Sequence, residues 1–458
     1  MAKILRRGIE PLGQMASKEM GKPIVQARAE VEKCAVLCAW YANNGAGLLH
    51  DQNTIVGEQA YISFLPLGPI LAVMSWNFPY WQTLRGAVPI LLGGNGYVLK
   101  HAPNVMGCAY MMREAWSEAG LPAGVFSVLN IKPELVSKAI ADPRIAAVTV
   151  TGSVRAGSAI AAQAGAALKK TVLELGGSDP FIVLADADLD LAVNAAVVGR
   201  FQNSGQICIA AKRIILEAPI AAEFTRRFVE AASALRVGSP TDEQTYIGPM
   251  AHFDLRDELD QQVQASVNAG AKVLLDGSKL AGGGNFYAPT VLTEVTPGMA
   301  VFDQETFGPV ASLSVADDVD HAIELANKSE FGLSGALWTK DKALAKELAR
   351  RIKTGGSVRQ RLLSFGPAGA DRRSQEERIR PRTLVFWRSR VHERTNCLVR
   401  TALMVEAFPA TANEHTCPVR QNWVVKVPDS MESSDSVVPE SRAVHSRRPS
   451  CRPRALFT

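Results

Sequence analysis

The chain has 458 residues, 47% of them hydrophobic, and a formal net charge of +5, enough apolar material for a sizeable core shared among two or three domains. No run approaches the ~20 apolar residues of a membrane-spanning helix, and the opening MAKILRRGIEPLGQ lacks the apolar core of a secretory signal. Seven cysteines without CxxC spacing argue against a disulfide framework and against a structural zinc site, so a cytoplasmic, metal-free protein is expected.

In chain order, residues 16–43 carry Leu, Val, Cys and Trp at helical spacing up to an Asn-Asn-Gly stop, which predicts one helix with Cys34 and Cys38 as buried thiols. GEQAYISFLPLG predicts an extended hairpin at about 55–67. From Gly68 the pattern alternates: GPILAVMSW, GYVLKHA, VFSVLN, AAVTVTG and KTVLELGG are strand-like, with helical stretches such as YWQTLRGAVPILL and NVMGCAYMMREAWSEAG between them. Such alternation builds a parallel sheet covered on both faces, with ligands at the carboxyl ends of its strands. A second α/β section runs from about Ser178 to Gly356, with PFIVLADAD, AKRIILEA, AKVLLDG and ASLSVA as strands.

After Gly356 the composition changes. Residues 1–356 hold 15 Arg and 17 Lys, whereas residues 357–458 hold 17 Arg and one Lys, and no helical or strand period persists. A basic tail for nucleic acid or membrane would be lower in complexity and richer in Lys. A shifted reading frame after Gly356 accounts better for the Arg surge and the lost periodicity, and predicts a disordered segment.

The chemistry-bearing residues stand at strand ends and turns. FQNSGQIC delivers a lone thiol, Cys208, out of a glycine turn, as a nucleophile requires. Glu174 in LELGG ends a strand and is a candidate general base. Asn77 in SWNFP can donate to an oxyanion together with the Cys208 backbone N–H. TGSVRAG places Gly152 and Ser153 between a strand and a helix, where a helix N-terminus faces anions, although its spacing is not GxGxxG. Lys100 closes a neighbouring strand and offers a donor to a phosphate or ribose.

Taken together, SWNFP, VLKHAP, AVTVTGSVRAG, LELGGSDPFIVL, FQNSGQIC and QETFGPV over residues 15–356 resemble the aldehyde dehydrogenase superfamily, and within it the succinate-semialdehyde dehydrogenases. The resemblance implies an α/β fold with a Rossmann-like cofactor-binding domain over 1–176, a catalytic domain over 177–356, an oligomerisation hairpin, and an aberrant segment over 357–458. It implies oxidation of an aldehyde by NAD or NADP through a Cys208 thiohemiacetal and thioester, with Glu174 as base. Trp76 and Leu175 would line the cofactor path, Glu305 would hold the nicotinamide ribose, and Phe307 would pack nearby.

Three departures from the family pattern carry further expectations. Three residues after Lys100 the family often places a Glu that repels a 2′-phosphate; Pro103 stands here, which predicts tolerance of both cofactors, with His101 assisting. Arg85 matches an arginine that holds the succinate semialdehyde carboxylate, while Gln202 replaces the second such arginine, so discrimination among aldehydes should be weaker. The family's leading segment and its FGG and SG signatures are missing, which predicts impaired assembly of the homodimer or homotetramer. The partner expected is a small aldehyde, not nucleic acid or a membrane; a remnant that binds cofactor without turning over is the competing reading.

Overall fold

The computed structural model describes residues 1–54, 57–359 and 385–386. Three helices open the chain: α1 (Ala2–Arg7), α2 (Ile9–Met20) and α3 (Ile24–Asn44). The single helix expected over 16–43 is therefore two. Gly21 takes a left-handed φ of 75° and returns its N–H to Ser17 O, and a Cβ there would lie 2.7 Å from Pro249 O. Pro23, next along, cannot continue a helix through its missing N–H.

Residues 51–63 belong to a separate compact unit. In it β1 (Gln52–Thr54) pairs antiparallel with β2 (Gly57–Ile62). The hairpin thus lies earlier than expected at about 55–67, and residues 63–69 form no strand. Pro66 and Pro69 have no N–H to give to a ladder.

The main unit carries two sheets. The first is parallel throughout, built from β3 (Ile70–Met74), β4 (Tyr97–His101), β5 (Phe126–Val128), β6 (Ala147–Thr151) and β7 (Lys170–Glu174) in the order β5-β4-β3-β6-β7. The crossovers are α4 (Pro79–Leu92), α5 (Met106–Glu118), α6 (Val136–Ala141) and α7 (Val154–Ala166). The chain runs outward from β3 to β5, then resumes on the other side of β3, so β3 and β6 flank a topological switch point. Trp76 and Asn77 follow β3, Gly152 and Ser153 follow β6, and Glu174 is the last residue of β7. All therefore share the carboxyl edge, as the sequence pattern implied.

The second sheet holds β8 (Asp179–Val183), β9 (Ala211–Glu217), β10 (Lys272–Leu275), β11 (Thr290–Thr293), β12 (Val310–Ala316), β13 (Gly335–Trp338), β14 (Gly356–Arg359) and β15 (Val385–Phe386), in the order β10-β11-β12-β9-β8-β13-β14-β15. Only the two terminal pairs are antiparallel. Its helices are α8 (Leu189–Phe201), α9 (Ala218–Ser233), α10 (Phe253–Asn268), α11 (Ala300–Asp303), α12 (Val319–Asn327) and α13 (Lys342–Leu348). Phe201, Phe224 and Phe228 stack beneath this sheet, fully buried, each contributing about 1.5–3 kcal/mol by leaving water. Apart from β14 and β15, the aberrant segment expected over 357–458 lies outside the described residues.

Candidate active site

The turn that carries Cys208 is strained and heavily tied down. After α8, Asn203 (φ 54°, ψ 34°), Ser204 (φ 54°, ψ 32°) and Gly205 (φ 73°) take left-handed conformations in succession. The two non-glycine residues cost about 1–2 kcal/mol each there. Asn203 offsets this by donating from its backbone to Gln26 Oε1 (2.6 Å) and from Nδ2 to the Asn77 carbonyl (2.9 Å). Ser204 Oγ donates to Gly248 O (3.0 Å), and Gln206 Oε1 accepts from Ala251 N (3.0 Å). Gly205 permits no side chain: a Cβ would stand 2.2 Å from Gly308 O.

Buried cations complete the support. Arg200, inaccessible to solvent, donates to the carbonyls of Gly205, Thr306, Gly308 and Val310, so it joins the nucleophile turn to the FGPV loop. Lys212, also inaccessible, spends its three protons on Ile207 O (2.9 Å), Cys208 O (2.8 Å) and Glu305 Oε1 (3.2 Å). Its neighbour Arg213 donates to Ser178 O and to the carbonyls of Leu325 and Ala326 at the end of α12. The Cys208 N–H finds no acceptor among the described residues.

Burial pushes the Cys208 thiol up to about 11; Lys212 and Arg85 oppose that rise, while Asp179 and Glu174 add to it. The thiol is thus protonated at neutral pH and sits within reach of the fields of both Glu174 and Arg85. Those two groups form an ion pair, Arg85 Nη2 to Glu174 Oε2 at 3.3 Å, with each side chain still about a quarter or a fifth exposed (24% and 20%). Asn77 is buried. It accepts from Ser75 Oγ and donates from Nδ2 to Gln206 O at 3.0 Å, so one of its amide protons braces the nucleophile turn and the other has no acceptor among the described residues.

Around the carboxyl edge of the first sheet the residues suit an anionic dinucleotide. Ser153 caps α7, accepting from Ala156 N, and a Cβ on Gly152 would meet open space; the first turn of this 13-residue helix holds no acidic side chain. Lys100 is buried rather than a solvated surface charge. Desolvation lowers its pKa against the opposing pull of Glu134, and its ammonium has no hydrogen-bond acceptor among the described residues. A buried ammonium and an open helix N-terminus on one carboxyl edge form the kind of donor set that phosphates and ribose hydroxyls require. Leu175 closes on α7, where a Cβ on Gly157 would lie 2.2 Å from its Cδ2. Trp76 meets Phe307 edge to face at 5.7 Å, and Glu305 Oε1 accepts from Gly177 N. Pro103 is exposed in the turn after β4.

One sequence expectation is corrected. His101 cannot assist a cofactor: it is buried between strands, with Nε2 at 3.0 Å from Pro79 O and Nδ1 accepting from Ala102 N. Burial lowers its pKa to about 4, which keeps it neutral. Gln202 is buried and lines a small cavity with Lys22, Gln26, Glu30, Phe78 and Asn203. Sequence reading also missed Arg200, Lys212 and Asp179. Cations inside an otherwise apolar strand, AKRIILE, were the available signal for Lys212.

An activatable thiol, a strand-end carboxylate and a dinucleotide-compatible edge now meet in one unit, and the aldehyde dehydrogenase family model matches residues 1–361 of the chain. The chain belongs to the aldehyde dehydrogenase family. It is 60% identical over 357 residues to the NAD(P)+ succinate semialdehyde dehydrogenase Sad of Escherichia coli (strain K12), covering 78% of this chain and 77% of that one. A Mycobacterium ulcerans (strain Agy99) NADP+ succinate-semialdehyde dehydrogenase is 47% identical over 358 residues, 77% of this chain and 78% of its own. Among solved structures, the succinic semialdehyde dehydrogenase of Streptococcus pyogenes in complex with NADP+ superposes with a TM-score of 0.77 at 34% identity, covering 79% of this chain and 80% of that one.

Proposed function

We propose that the chain oxidises succinate semialdehyde to succinate with NAD+ or NADP+. The observation that carries this reading is the meeting of Arg85 with Glu174 at 3.3 Å in the electrostatic field of Cys208, which puts a cation for the substrate carboxylate beside the nucleophile and its base. The relatives' names support the same substrate and both cofactors. We assign residues 1–176 to cofactor binding and 177–356 to catalysis.

The Cys208 thiol passes its proton to solvent water and its sulfur attacks the aldehyde carbon, forming a thiohemiacetal. The oxyanion that develops is held by the Cys208 N–H and the remaining Asn77 amide proton. A bound nicotinamide would supply the hydride acceptor for oxidation of the thiohemiacetal to the thioester. Lys100, Gly152, Ser153 and Leu175 would hold its nucleotide portion; Trp76, Glu305 and Phe307 would hold the nicotinamide end. Glu174 then takes a proton from water, which adds to the thioester carbon as the carbon–sulfur bond breaks. Lys212 fixes both ends of this arrangement, since it grips the Cys208 carbonyl and Glu305 together.

Because Pro103 contributes no carboxylate, a 2′-phosphate meets no like charge there, and both cofactors are accepted. The work of a free thiol suits a reducing, cytoplasmic setting, and the family resemblance supports a homo-oligomer. Reduced-cofactor absorbance with succinate semialdehyde, compared between this chain and Cys208→Ala, tests the reading. Turnover that survives loss of the thiol would refute it.

A further inference from the structure

We infer that Arg85 is a substrate-operated gate on Glu174: without an acid-terminated substrate it holds the base in an ion pair, and the substrate's distal carboxylate exchanges for Glu174 and releases it. This rests on reading Arg85 as the partner of that carboxylate.

The observation is the pair itself, Arg85 Nη2 to Glu174 Oε2 at 3.3 Å. Arg85 stands on α4 and Glu174 at the end of β7, so the contact spans two separate elements. A carboxylate oxygen committed to a guanidinium is poorly placed to accept a proton from water. Neither side chain is sealed away, at 24% and 20% exposure, so a partly solvated pair can trade one carboxylate for another at little net cost. Acylation of Cys208 does not need the released base in this scheme, but hydrolysis of the thioester does. There water's oxygen bonds to the acyl carbon, the carbon–sulfur bond breaks, and the water proton passes to Glu174.

Neutral aldehydes should therefore acylate Cys208 and stall. Stopped-flow absorbance of reduced cofactor distinguishes the cases, with methyl 4-oxobutanoate as the uncharged counterpart of succinate semialdehyde. The unsubstituted chain should give no burst with the acid. With the ester it should give a burst of about one reduced cofactor per Cys208, then steady turnover roughly tenfold slower. In Arg85→Gln the ester's kcat should rise about fivefold and its burst disappear, while KM for the acid rises about tenfold. An unchanged ester kcat alongside the raised KM would make Arg85 a static anchor and overturn the gate. An unchanged KM for the acid would overturn the anchoring role. Reduction of cofactor by neither aldehyde would overturn the dehydrogenase reading itself. A second measurement needs no variant: acetaldehyde turnover by the unsubstituted chain should rise saturably when propanoate is added to occupy Arg85, and a flat response counts against the gate.

Discussion

Replacing Lys212 with Met tests how the nucleophile is tuned. The Cys208 thiol is raised to about 11 by burial even with Lys212 pulling it down, so at pH 8 about one thiol in a thousand is ionised. Lys212 Nζ lies 2.8 Å from Cys208 O and 3.2 Å from Glu305 Oε1. A unit charge a few ångströms away at an effective dielectric of about 20 is worth ~2–4 kcal/mol, and the opposing Glu305 carboxylate reduces that to about one pKa unit. Iodoacetamide labelling, read on the Cys208 peptide by mass spectrometry to separate it from buried Cys34, Cys38 and Cys108, should climb about tenfold per pH unit from pH 7 to 10 in the unsubstituted chain. Lys212→Met should label about tenfold more slowly at each pH. It should also unfold more easily, by about 3–5 kcal/mol, because Glu305 and two carbonyls lose a buried partner. A labelling plateau below pH 9, or equal rates in the two proteins, would refute this account of the thiol.

Asp179 is buried, its Oδ1 accepting from Ser334 N while its Oδ2 has no partner among the described residues, and burial raises its pKa from 3.8 to about 7, against the pull of Lys212. The folded chain then holds a proton that the unfolded chain has released, so this group's contribution to stability is present below pH ~4 and lost as pH rises to ~7, a change of about 4 kcal/mol. Asp179→Asn keeps the Ser334 acceptor and cannot ionise. Its melting temperature should match the parent at pH 4 and exceed it at pH 8; equal values at both would sink the argument. Gly157→Ala pushes a methyl group to within 2.2 Å of Leu175 Cδ2, and since that side chain can rotate, stability should change by less than about 1 kcal/mol while KM for the cofactor rises several-fold in steady-state assays. Cys208→Ala should abolish turnover yet retain cofactor binding by fluorescence quenching, because Lys100 and the α7 N-terminus lie on the other sheet.

The residues we assign to the chemistry stand out in the sequence because they sit where local sequence dictates backbone geometry. Glu174 and Gly152 follow apolar strand runs, and Cys208 follows a helix and a glycine, so period and punctuation placed them. The first sheet's strands were equally plain. What escaped was decided by distant partners. Nothing near His101 announces that it will be wedged between the Met74 and Pro79 carbonyls, and nothing near Arg85 announces Glu174, 89 positions on. β11 and β13 are four-residue strands whose sequences, TVLT and GALW, carry too few alternations to stand out; they form because neighbouring strands complete their ladders. The helix break at Gly21 was marked by GKP, but the apolar period running through it suggested continuity.

Arg200, Lys212 and Arg213 lie within 14 residues, are buried, and donate mostly to backbone carbonyls rather than to carboxylates. Loops at the mouth of a sheet leave carbonyls that no ladder can satisfy, and a guanidinium or ammonium serves several at once. Of these cations Lys212 pulls the Cys208 thiol toward the thiolate. Glu305 and Asp179 absorb part of that field, and burial outweighs the rest, which is why the thiol stays protonated at rest. A protonated thiol resists oxidation and stray alkylation. Hydrolysis of the thioester must still wait for a base, so control over Glu174 is control over deacylation, and the Arg85 pair sits at the point where substrate can exert it.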